Sequence, residues 1–495
     1  MIVFLCAWLV ALAIPSQSPS NISPLEPETA IERPIARGEE HLYQLTLARG
    51  EYVHVVVQQR GIDVVVQTRR GDGTAIADIQ EEIRPQGQED VELVADANGT
   101  YTLAVRRAIG PHDSGTYVIH IAGRRVATDG DRGIQQARSL RTDASRLESA
   151  MKLDEARSTF ERALALAERV RGPEDPLLGL LLFDLAGNAL ERRDDAGAES
   201  LYRRAAGIFE KAWGAGHPYA AMTQSRLAVV LQHAGQGPAA EALVRQATEV
   251  IEKTLGTDHP WFAVCLTTAA TLRNDAGDGQ KAKEIDLRAL GILERIGDTG
   301  SARYAALLNN LGEIYRQDQD YARAEPLHMR ALDLTVKLEG PESYHVSNDY
   351  GNLSVVARER KDYTRALDYA NRALSIREKI LGPDHLDMAQ LFNNLAIVYR
   401  AMGEESRALE THFRALRIYE KAVGPYHRST LISVGNIART YAAMGDMPNA
   451  LAFQRRILLR ALRAVHAGLH EHADQATLVA MLETAIQACV PATHS

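Results

Sequence analysis

Cysteine, aromatic residues and long runs of one charge are all scarce in this chain. Three cysteines occur in 495 residues, too few for a disulfide framework, and no Cys/His spacing is typical of a zinc finger. The net charge is -8 and no long Lys/Arg block occurs, which argues against nucleic acid as the main partner. The composition is otherwise ordinary, with 45% hydrophobic and 24% charged residues, and this excludes wholesale disorder.

No apolar run reaches the roughly 20 residues that a membrane-spanning helix needs. Residues 2–14 form a shorter run with the length of a signal-peptide core, and Ala11–Ala13 offers a cleavage site. We therefore expect a signal peptide over 1–20, a Pro- and Ser-rich linker over 21–34, and an exported protein (periplasmic or extracellular) without a stable membrane span. No Lys or Arg precedes the run, so a wrongly assigned start or an uncleaved anchor stays an alternative. Without a signal the protein would be cytoplasmic.

Residues 35–122 contain short alternating runs rich in β-branched residues, separated by turns that contain glycine. Six or more such runs, with turns about every ten residues, predict a small antiparallel β-sandwich. Two runs begin with the same Gly-Thr-Tyr tripeptide, at Gly99 and Gly115. Together with Tyr43–Leu45, Gly61–Val66 and Gly71–Gly73, these starts resemble the bacterial pre-peptidase C-terminal type of β-sandwich. That resemblance implies an accessory module of a secreted protein.

A period of 42 residues dominates residues 135–466 and recurs eight times. A second alanine follows the first after seven positions in all but the last copy, and an apolar residue comes three positions later in the first seven copies. These offsets lie on one helical face, where small residues allow a neighbouring helix to approach closely. The first alanine of each copy, which we call the key alanine, is Ala156, Ala198, Ala240, Ala282, Ala324, Ala366, Ala408 and Ala450.

Signals for helix ends recur at the same period. Glycines such as Gly214 are typical of the residue after a helix, and Pro218 is typical of the first position of the next helix. Each copy is therefore predicted to be a pair of helices. Four histidines in the Gly-x-x-His turns are interpreted as turn residues: His217, His259, His385 and His427.

Leu311-Gly312-x-x-Tyr315, followed by Ala324 and Ala331, matches the tetratricopeptide signature. The long period resembles the kinesin-light-chain type, on residues 308–315, 373–379 and 381–385. The predicted fold is thus multidomain, a small antiparallel β-sandwich followed by an all-α superhelix of about eight helical hairpins. Its parts are the β-sandwich (35–122), a linker (123–134), the superhelix (135–466), and a C-terminal capping helix and tail (467–495).

In such a superhelix the first helix of each pair lines the concave face. Counting back from the key alanine, asparagine stands at position −14 in four consecutive copies and at −15 in two of them, and arginine stands at −8 in three. On the helix, positions −15, −11 and −8 lie opposite the apolar face, and position −14 lies at the edge of the groove. The residues are Asn310, Asn352, Asn394 and Asn436 at −14, Asn309 and Asn393 at −15, and Arg316, Arg358 and Arg400 at −8.

Asparagine can both donate to and accept from a peptide backbone, and arginine offers forked donors to carboxylates. These nine residues are therefore predicted to bind an extended, acidic peptide segment of a protein partner. By resemblance, the kinesin-light-chain groove uses such asparagines and basic residues to hold peptides. Two alternatives stay open: the asparagines serve only the stacking of helices, and the arginines form an ordinary solvated surface.

No motif of serine hydrolases, zinc peptidases or nucleotide-binding loops occurs where a catalytic fold could hold it. Cys265 is interpreted as a buried hydrophobe, and Asp63 and Asp72 as residues of a strand start and a turn. The His470–His472 pair lacks a third metal ligand at helical spacing. We therefore predict no enzyme, no metal site and no cofactor. An enzyme or a glycan binder acting through the β domain would need a pocket with paired carboxylates, which the sequence does not reveal.

The order of an exported segment, this β domain and these repeats resembles the front half of bacterial proteins that end in a caspase-like CHAT peptidase domain. The sequence ends at Ser495, where that domain would begin. The resemblance implies an alternative function, the recognition or regulatory half of a split or truncated peptidase system. The main prediction is a non-enzymatic scaffold for protein–protein interaction, and self-association through uncapped repeat ends stays open.

Overall fold

The computed structural model describes residues 22–110 and 114–466, which hold nine strands and sixteen helices. The predicted signal peptide, the predicted C-terminal helix and tail and the His470–His472 pair lie outside these ranges. The chain divides into two compact units between Leu307 and Leu308. Within the described ranges, no helix has the length and apolar character that crossing a bilayer requires.

The strands of the first unit are β1 (Ile22–Pro24), β2 (Ile31–Ala36), β3 (Glu40–Leu47), β4 (Glu51–Arg60), β5 (Val64–Arg70), β6 (Ala75–Ile79), β7 (Gln86–Val94), β8 (Gly99–Arg107) and β9 (Ser114–Val126). They form a five-stranded sheet in the order β1-β3-β8-β5-β6 and a four-stranded sheet in the order β2-β9-β4-β7. All pairs are antiparallel except β1 with β3.

Side chains of both sheets meet in one apolar core, as the alternating pattern predicts. Val53, Val55 and Val57 point into this core from β4. Tyr43 and Tyr117 are also buried there, and their hydroxyl oxygens lie 2.6 Å apart in a hydrogen bond that satisfies two otherwise costly polar groups. The predicted antiparallel β-sandwich is therefore confirmed, with one short parallel pair at its edge.

The sandwich extends beyond the predicted boundaries at both ends. The segment 21–34, predicted to be a linker, contains β1 and the start of β2. Pro34 is compatible with a strand because β2 is an edge strand, paired on one side only. The second predicted linker, 123–134, holds the end of β9 and the first helical turns, because Thr128 and Asp131 form a capping box that begins a helix at Asp129.

The helices form eight consecutive hairpins, each with a first and a second helix. They are α1 (Asp129–Ser149), α2 (Leu153–Arg171), α3 (Pro176–Glu191), α4 (Asp195–Trp213), α5 (Pro218–His233), α6 (Gly237–Leu255), α7 (Pro260–Asp275), α8 (Gly279–Arg295), α9 (Ala302–Gln317), α10 (Tyr321–Glu339), α11 (Tyr344–Glu359), α12 (Tyr363–Leu381), α13 (Leu386–Ala401), α14 (Glu405–Ala422), α15 (Arg428–Ala443) and α16 (Met447–His466).

The periodic residues have the structural roles that their spacing predicts. All eight key alanines are at most 1% exposed, and each lies at the start of the second helix of its hairpin. The four turn histidines are N-caps, because each ring accepts a hydrogen bond from the backbone N–H two residues later. The prediction of a β domain followed by helical repeats is confirmed.

In the first unit, the sandwich packs against the helices that follow it. The side chain of Gln135 on α1 exchanges two hydrogen bonds with the backbone of Val94, at 2.6 and 2.8 Å. The Tyr219 hydroxyl on α5 donates to the Gln80 carbonyl at 2.9 Å. Arg138 on α1 is 8% exposed and bonded to two carboxylates of the sandwich. A polar seam of this kind holds the sandwich in a defined orientation on the first hairpins.

Candidate functional site

The nine predicted peptide-binding residues lie on the first helices of four hairpins, α9, α11, α13 and α15. All nine belong to the second unit. Within that unit α13 contacts both α11 and α15, so equivalent positions of successive first helices come side by side. Positions −15, −14 and −8 of successive copies therefore form three rows of side chains on one face of the unit.

The asparagines at position −15 bind internally. Asn309 accepts a hydrogen bond from the ring of His328 at 2.8 Å and donates to Asp349 at 2.6 Å. Asn393 is 7% exposed and pairs with the ring of His412 at 2.9 Å. Because both amides already serve contacts between helices, the geometry favours the stacking role for these two residues over peptide binding.

In the other two hairpins, glycine replaces the asparagine of this pair. Position −15 is Gly351 on α11 and Gly435 on α15, and the place of the histidine holds the buried Ala370 on α12 and Gln454 on α16. Hairpins with an Asn–His pair thus alternate with hairpins in which a glycine occupies the same place. Hydrogen bonding in one case and the absence of a side chain in the other are both means of packing, which fits a structural role for this row.

The asparagines at position −14 differ from those at −15. Asn310, Asn352 and Asn394 are half-buried, and their side chains have no hydrogen-bond partner within the described residues. Asn436 is more buried, at 5% exposure, and accepts a hydrogen bond from Arg439. Three of the four amides in this row are therefore available to a ligand, and adjacent positions in the sequence have opposite roles.

The row of arginines is neutralised at one end. Arg316 donates to Glu313 at 2.7 Å and to Glu359 at 2.8 Å, and these hydrogen bonds raise its pKa. Arg358 donates to the same Glu359 at 3.0 Å. Two carboxylates thus already serve these two guanidinium groups, so a ligand would gain less from them than their charge suggests.

Arg400 is the exception in this row. It is half-buried on α13 and has no carboxylate partner in the part of the chain that the structure describes. Burial lowers its pKa, and the positive charges of Arg439 and Arg358 lower it further. Burial together with Arg400 and Arg439 also lowers the pKa of His412 to about 3. The structure therefore brings three guanidinium groups together on α11, α13 and α15 with a deficit of negative charge.

Sequence reasoning missed Arg439, Glu313 and Glu359. Arg439 and Glu313 occupy position −11, which the helical wheel places on the same side as −8. The signal was present but not periodic, because that position is Glu313, Val355, Ile397 and Arg439 in the four hairpins. Single residues of this kind decide where the arginine row carries net charge. Because they do not recur at the repeat period, they give no periodic signal in the sequence.

Candidates for chemistry in the first unit have structural explanations. Asp63 accepts a hydrogen bond from Gln80 at 2.9 Å, and burial raises its pKa. Asp72 accepts from the backbone of Thr74 in a turn. Burial raises the pKa of the Cys265 thiol to about 12, so this thiol stays protonated and unreactive at neutral pH. The described residues contain no cluster of three or more side chains suited to hold a metal ion.

Several known proteins are similar to this chain, although a search of curated protein sequences found no significant match. BtubC (BKLC) from P. vanneervenii is 31% identical over 48% of this chain and 94% of its own, with a TM-score of 0.39. Kinesin-light-chain TPR-like repeats from Podosopora anserina are 21% identical over 50% of this chain and 98% of theirs, with a TM-score of 0.27. A Rap protein complexed with competence and sporulation factor is 13% identical over 67% and 99%, with a TM-score of 0.46.

The tetratricopeptide repeat family model matches residues 146–211, 219–295, 303–379, 350–421 and 387–462. These matches together cover more than half of the chain and follow the helical hairpins from the first to the last. The resemblances to the pre-peptidase β-sandwich and to CHAT proteins stay predictions. The chain belongs to the tetratricopeptide repeat family.

Proposed function

We propose that this protein is a non-enzymatic interaction scaffold, which holds an extended acidic segment of a partner protein across α11, α13 and α15. Tetratricopeptide repeats support an interaction role, since stacked hairpins present long binding surfaces rather than a closed active site. The narrower proposal of an acidic peptide rests on the charges of the second unit.

The observation that carries the proposal is the uncompensated charge at Arg400. Guanidinium groups that are partly removed from water and face other positive charges raise the free energy of the protein. A carboxylate that binds between Arg400 and Arg439 would relieve this cost through charge-assisted hydrogen bonds. Arg358, which shares Glu359 with Arg316, lies on the neighbouring helix and can contribute a second contact.

The asparagines at position −14 supply contacts for the peptide backbone. Helices in contact lie about 8–10 Å apart, so one step from α11 to α13 spans about three residues of an extended chain. The free amides of Asn352 and Asn394 can therefore bind peptide groups about three residues apart, each as donor and acceptor. An extended ligand is expected because a helical peptide would satisfy its backbone internally.

The test uses the full chain and a labelled peptide of ten glutamate and glycine residues, with fluorescence anisotropy as the readout. We expect the Arg400→Glu and Arg439→Glu double variant to weaken binding at least tenfold, since each charge-assisted bond contributes about 1.5–3 kcal/mol. The control is Arg417→Glu, which reverses an exposed charge on α14. Equal binding by the double variant and the wild type would contradict the proposal.

Export remains part of the proposal. The apolar run at residues 2–14 and the small residues Ala11 and Ala13 support cleavage and secretion. N-terminal sequencing of the protein from its native host tests this directly. A mature protein that starts at Met1 would contradict it.

A further inference from the structure

The first unit contains a cavity of about 730 Å³ between the sandwich and the end of α4. The outer face of β4 and β7 forms one wall, and Trp213 of α4 contributes an aromatic ring. The volume falls in the range of small-molecule sites, but polar side chains line most of this one. Its chemistry therefore differs from that of a typical apolar pocket.

The strand wall carries a regular array of planar polar groups. Gln58 on β4 is directly opposite Gln88 on β7, and Arg60 is opposite Gln86. All four side chains are exposed on the same outer face. Opposite residues on paired strands lie about 5 Å apart and alternate residues along a strand about 7 Å apart. The wall thus offers several donors and acceptors at fixed, short intervals.

Each charged residue of the cavity already has a bonded partner. The pairs are Glu81 with Arg138 at 2.7 Å, Glu82 with Arg84 at 2.5 Å, Asp90 with His54 at 2.8 Å and Arg60 with Glu32 at 3.1 Å. Three of these four charges therefore have an ionic partner, and the fourth, Asp90, has an imidazole ring bonded to it, so an ionic ligand would meet little free countercharge. The other polar groups are glutamine amides. Gln88 donates to Asp90 at 3.1 Å and the oxygen of Gln58 accepts from Arg60 at 3.4 Å, so the oxygen of Gln88 and the N–H groups of Gln58 remain for the hydroxyl groups of a neutral ligand.

Trp213 supplies the apolar element of the site. Phe209 stacks on it with 5.4 Å between ring centroids and 6° between ring planes, and the ring of His217 lies 4.5 Å away. These neighbours hold the indole in one orientation. An aromatic ring beside an array of amides suits a ligand with both C–H faces and hydroxyl edges, which is the surface of a sugar ring.

We propose that this cavity binds a neutral, hydroxyl-rich ligand of the size of a short oligosaccharide, without hydrolysing it. Hydrolysis requires two carboxyl groups, one of them protonated, on either side of the glycosidic bond. Here the carboxylates are bonded to basic side chains. Burial alone would raise the pKa of Glu82, but hydrogen bonds from Arg84 and the His217 ring 3.8 Å away lower it to about 2, so it cannot act as a general acid.

The experiment is calorimetric titration of the full chain with maltotriose, cellotriose and triacetylchitotriose. We expect at least one trisaccharide to bind, and the Gln58→Ala and Gln88→Ala double variant to bind it at least tenfold more weakly. The matched control is Gln44→Ala, which removes an exposed glutamine from β3 in the other sheet and should leave binding unchanged.

A second readout is tryptophan emission, which binding should change in the wild type but not in Trp213→Phe, a variant that keeps an aromatic ring in the stack. Absence of binding by all three sugars at millimolar concentration would overturn the proposal. Undiminished binding by the glutamine double variant would overturn it as well, because the ligand would then occupy another place.

Discussion

The same repeat position has opposite surroundings in the two units. At position −14, the first unit has Asp184, bonded to Arg141 of α1, and the buried Thr268, which accepts from Ser225 at 3.4 Å. In the second unit this position holds asparagines such as Asn352 and Asn394, whose amides have no partner among the described residues. In the first unit two of the three residues at this position are thus bonded to neighbouring helices and the third, Arg226, is buried with its Nε unpaired, whereas three of the four asparagines in the second unit are open to a ligand.

The turn histidines show the same contrast. His217 and His259 in the first unit are 2% and 6% exposed, and both lie next to residues of the sandwich. His385 occupies the equivalent turn in the second unit, and its side chain is 44% exposed. All of them are N-caps, so the local structure is the same, and contacts with the sandwich and with neighbouring aromatic rings make the difference. The repeat therefore determines where the helices begin and end, but not which of their side chains stay exposed.

The largest expected effect is at the seam between sandwich and helices. Arg138→Ala leaves the half-buried carboxylates of Glu81 and Glu92 without this cation, and we expect a loss of about 3–5 kcal/mol in unfolding free energy. Urea denaturation followed by tryptophan emission measures it, because Trp213 and Trp261 both lie in the first unit. Arg146→Ala, which breaks an exposed pair with Asp143, should cost less than about 0.5 kcal/mol. Similar losses in both variants would show that the seam is not structural.

The second prediction concerns pH and the second unit. Burial lowers the pKa of His328 to about 4 and that of His412 to about 3. The unfolded chain takes up protons near pH 6.5 and the folded chain does not, so stability should fall as pH drops below about 6.5, by about 1.4 kcal/mol per pH unit for each histidine. Asp349, whose pKa burial raises to about 6, acts in the opposite direction.

Circular dichroism during urea denaturation at pH 7.5, 6 and 5 tests this pH effect. The His328→Gln and His412→Gln double variant serves as the control, because it removes both titrating rings and should flatten the dependence. An unchanged slope in that variant would assign the effect to other groups. Asp349→Asn should steepen the fall, since it removes the opposing group.

The third prediction separates the two asparagine rows. Asn393→Ala leaves the buried ring of His412 without its partner, and we expect a loss of about 1–3 kcal/mol. Asn394→Ala, one residue later, should change stability by less than about 0.5 kcal/mol and instead weaken peptide binding. Urea denaturation and anisotropy measure the two effects. Equal stability losses would contradict the assignment of the rows.

The smallest expected effect is a gain. Arg400→Met removes a half-buried charge that has no carboxylate partner in the described chain, and keeps an apolar stem of similar length. We expect the unfolding free energy to rise by about 0.5–1 kcal/mol while acidic-peptide binding is lost. Denaturation of the variant beside the wild type measures this gain. A clear destabilisation would mean that Arg400 already has an internal role.

Much of the scaffold was predictable from single positions. The key alanines are buried because helix packing leaves no room for a larger side chain. The same close contact occurs in every hairpin, so alanine recurs at the repeat period. Boundaries were less predictable: Pro and Ser around Pro34 are typical of a linker, but an edge strand tolerates them because its outer side needs no partner. The helix start at Asp129 had a local signal, the capping box, but this signal lies before residue 135, where the predicted repeat region begins.

The candidate site was predictable in part. The recurring positions led to the helices that carry the candidate site, and Arg400 and Asn394 emerged from them. Arg439 and Glu359 did not emerge in this way, because neither residue type recurs at its position in the other copies. The opposite roles of Asn393 and Asn394 also could not be read from sequence, since neighbouring residues on a helix differ by about 100° in direction and only the adjacent helix decides which one is bonded.

By itself, the sequence determined the order of domains, the period of the hairpins and the helices that carry the arginines. These features depend on local rules, namely helix and strand periodicity, capping and the close approach of small residues. Only the tertiary structure decided which of the charged and amide groups remain free. That outcome depends on partners from distant segments, such as the sandwich over His217 or Glu359 beside Arg316. Net charge at a surface is a property of these contacts and not of any single residue.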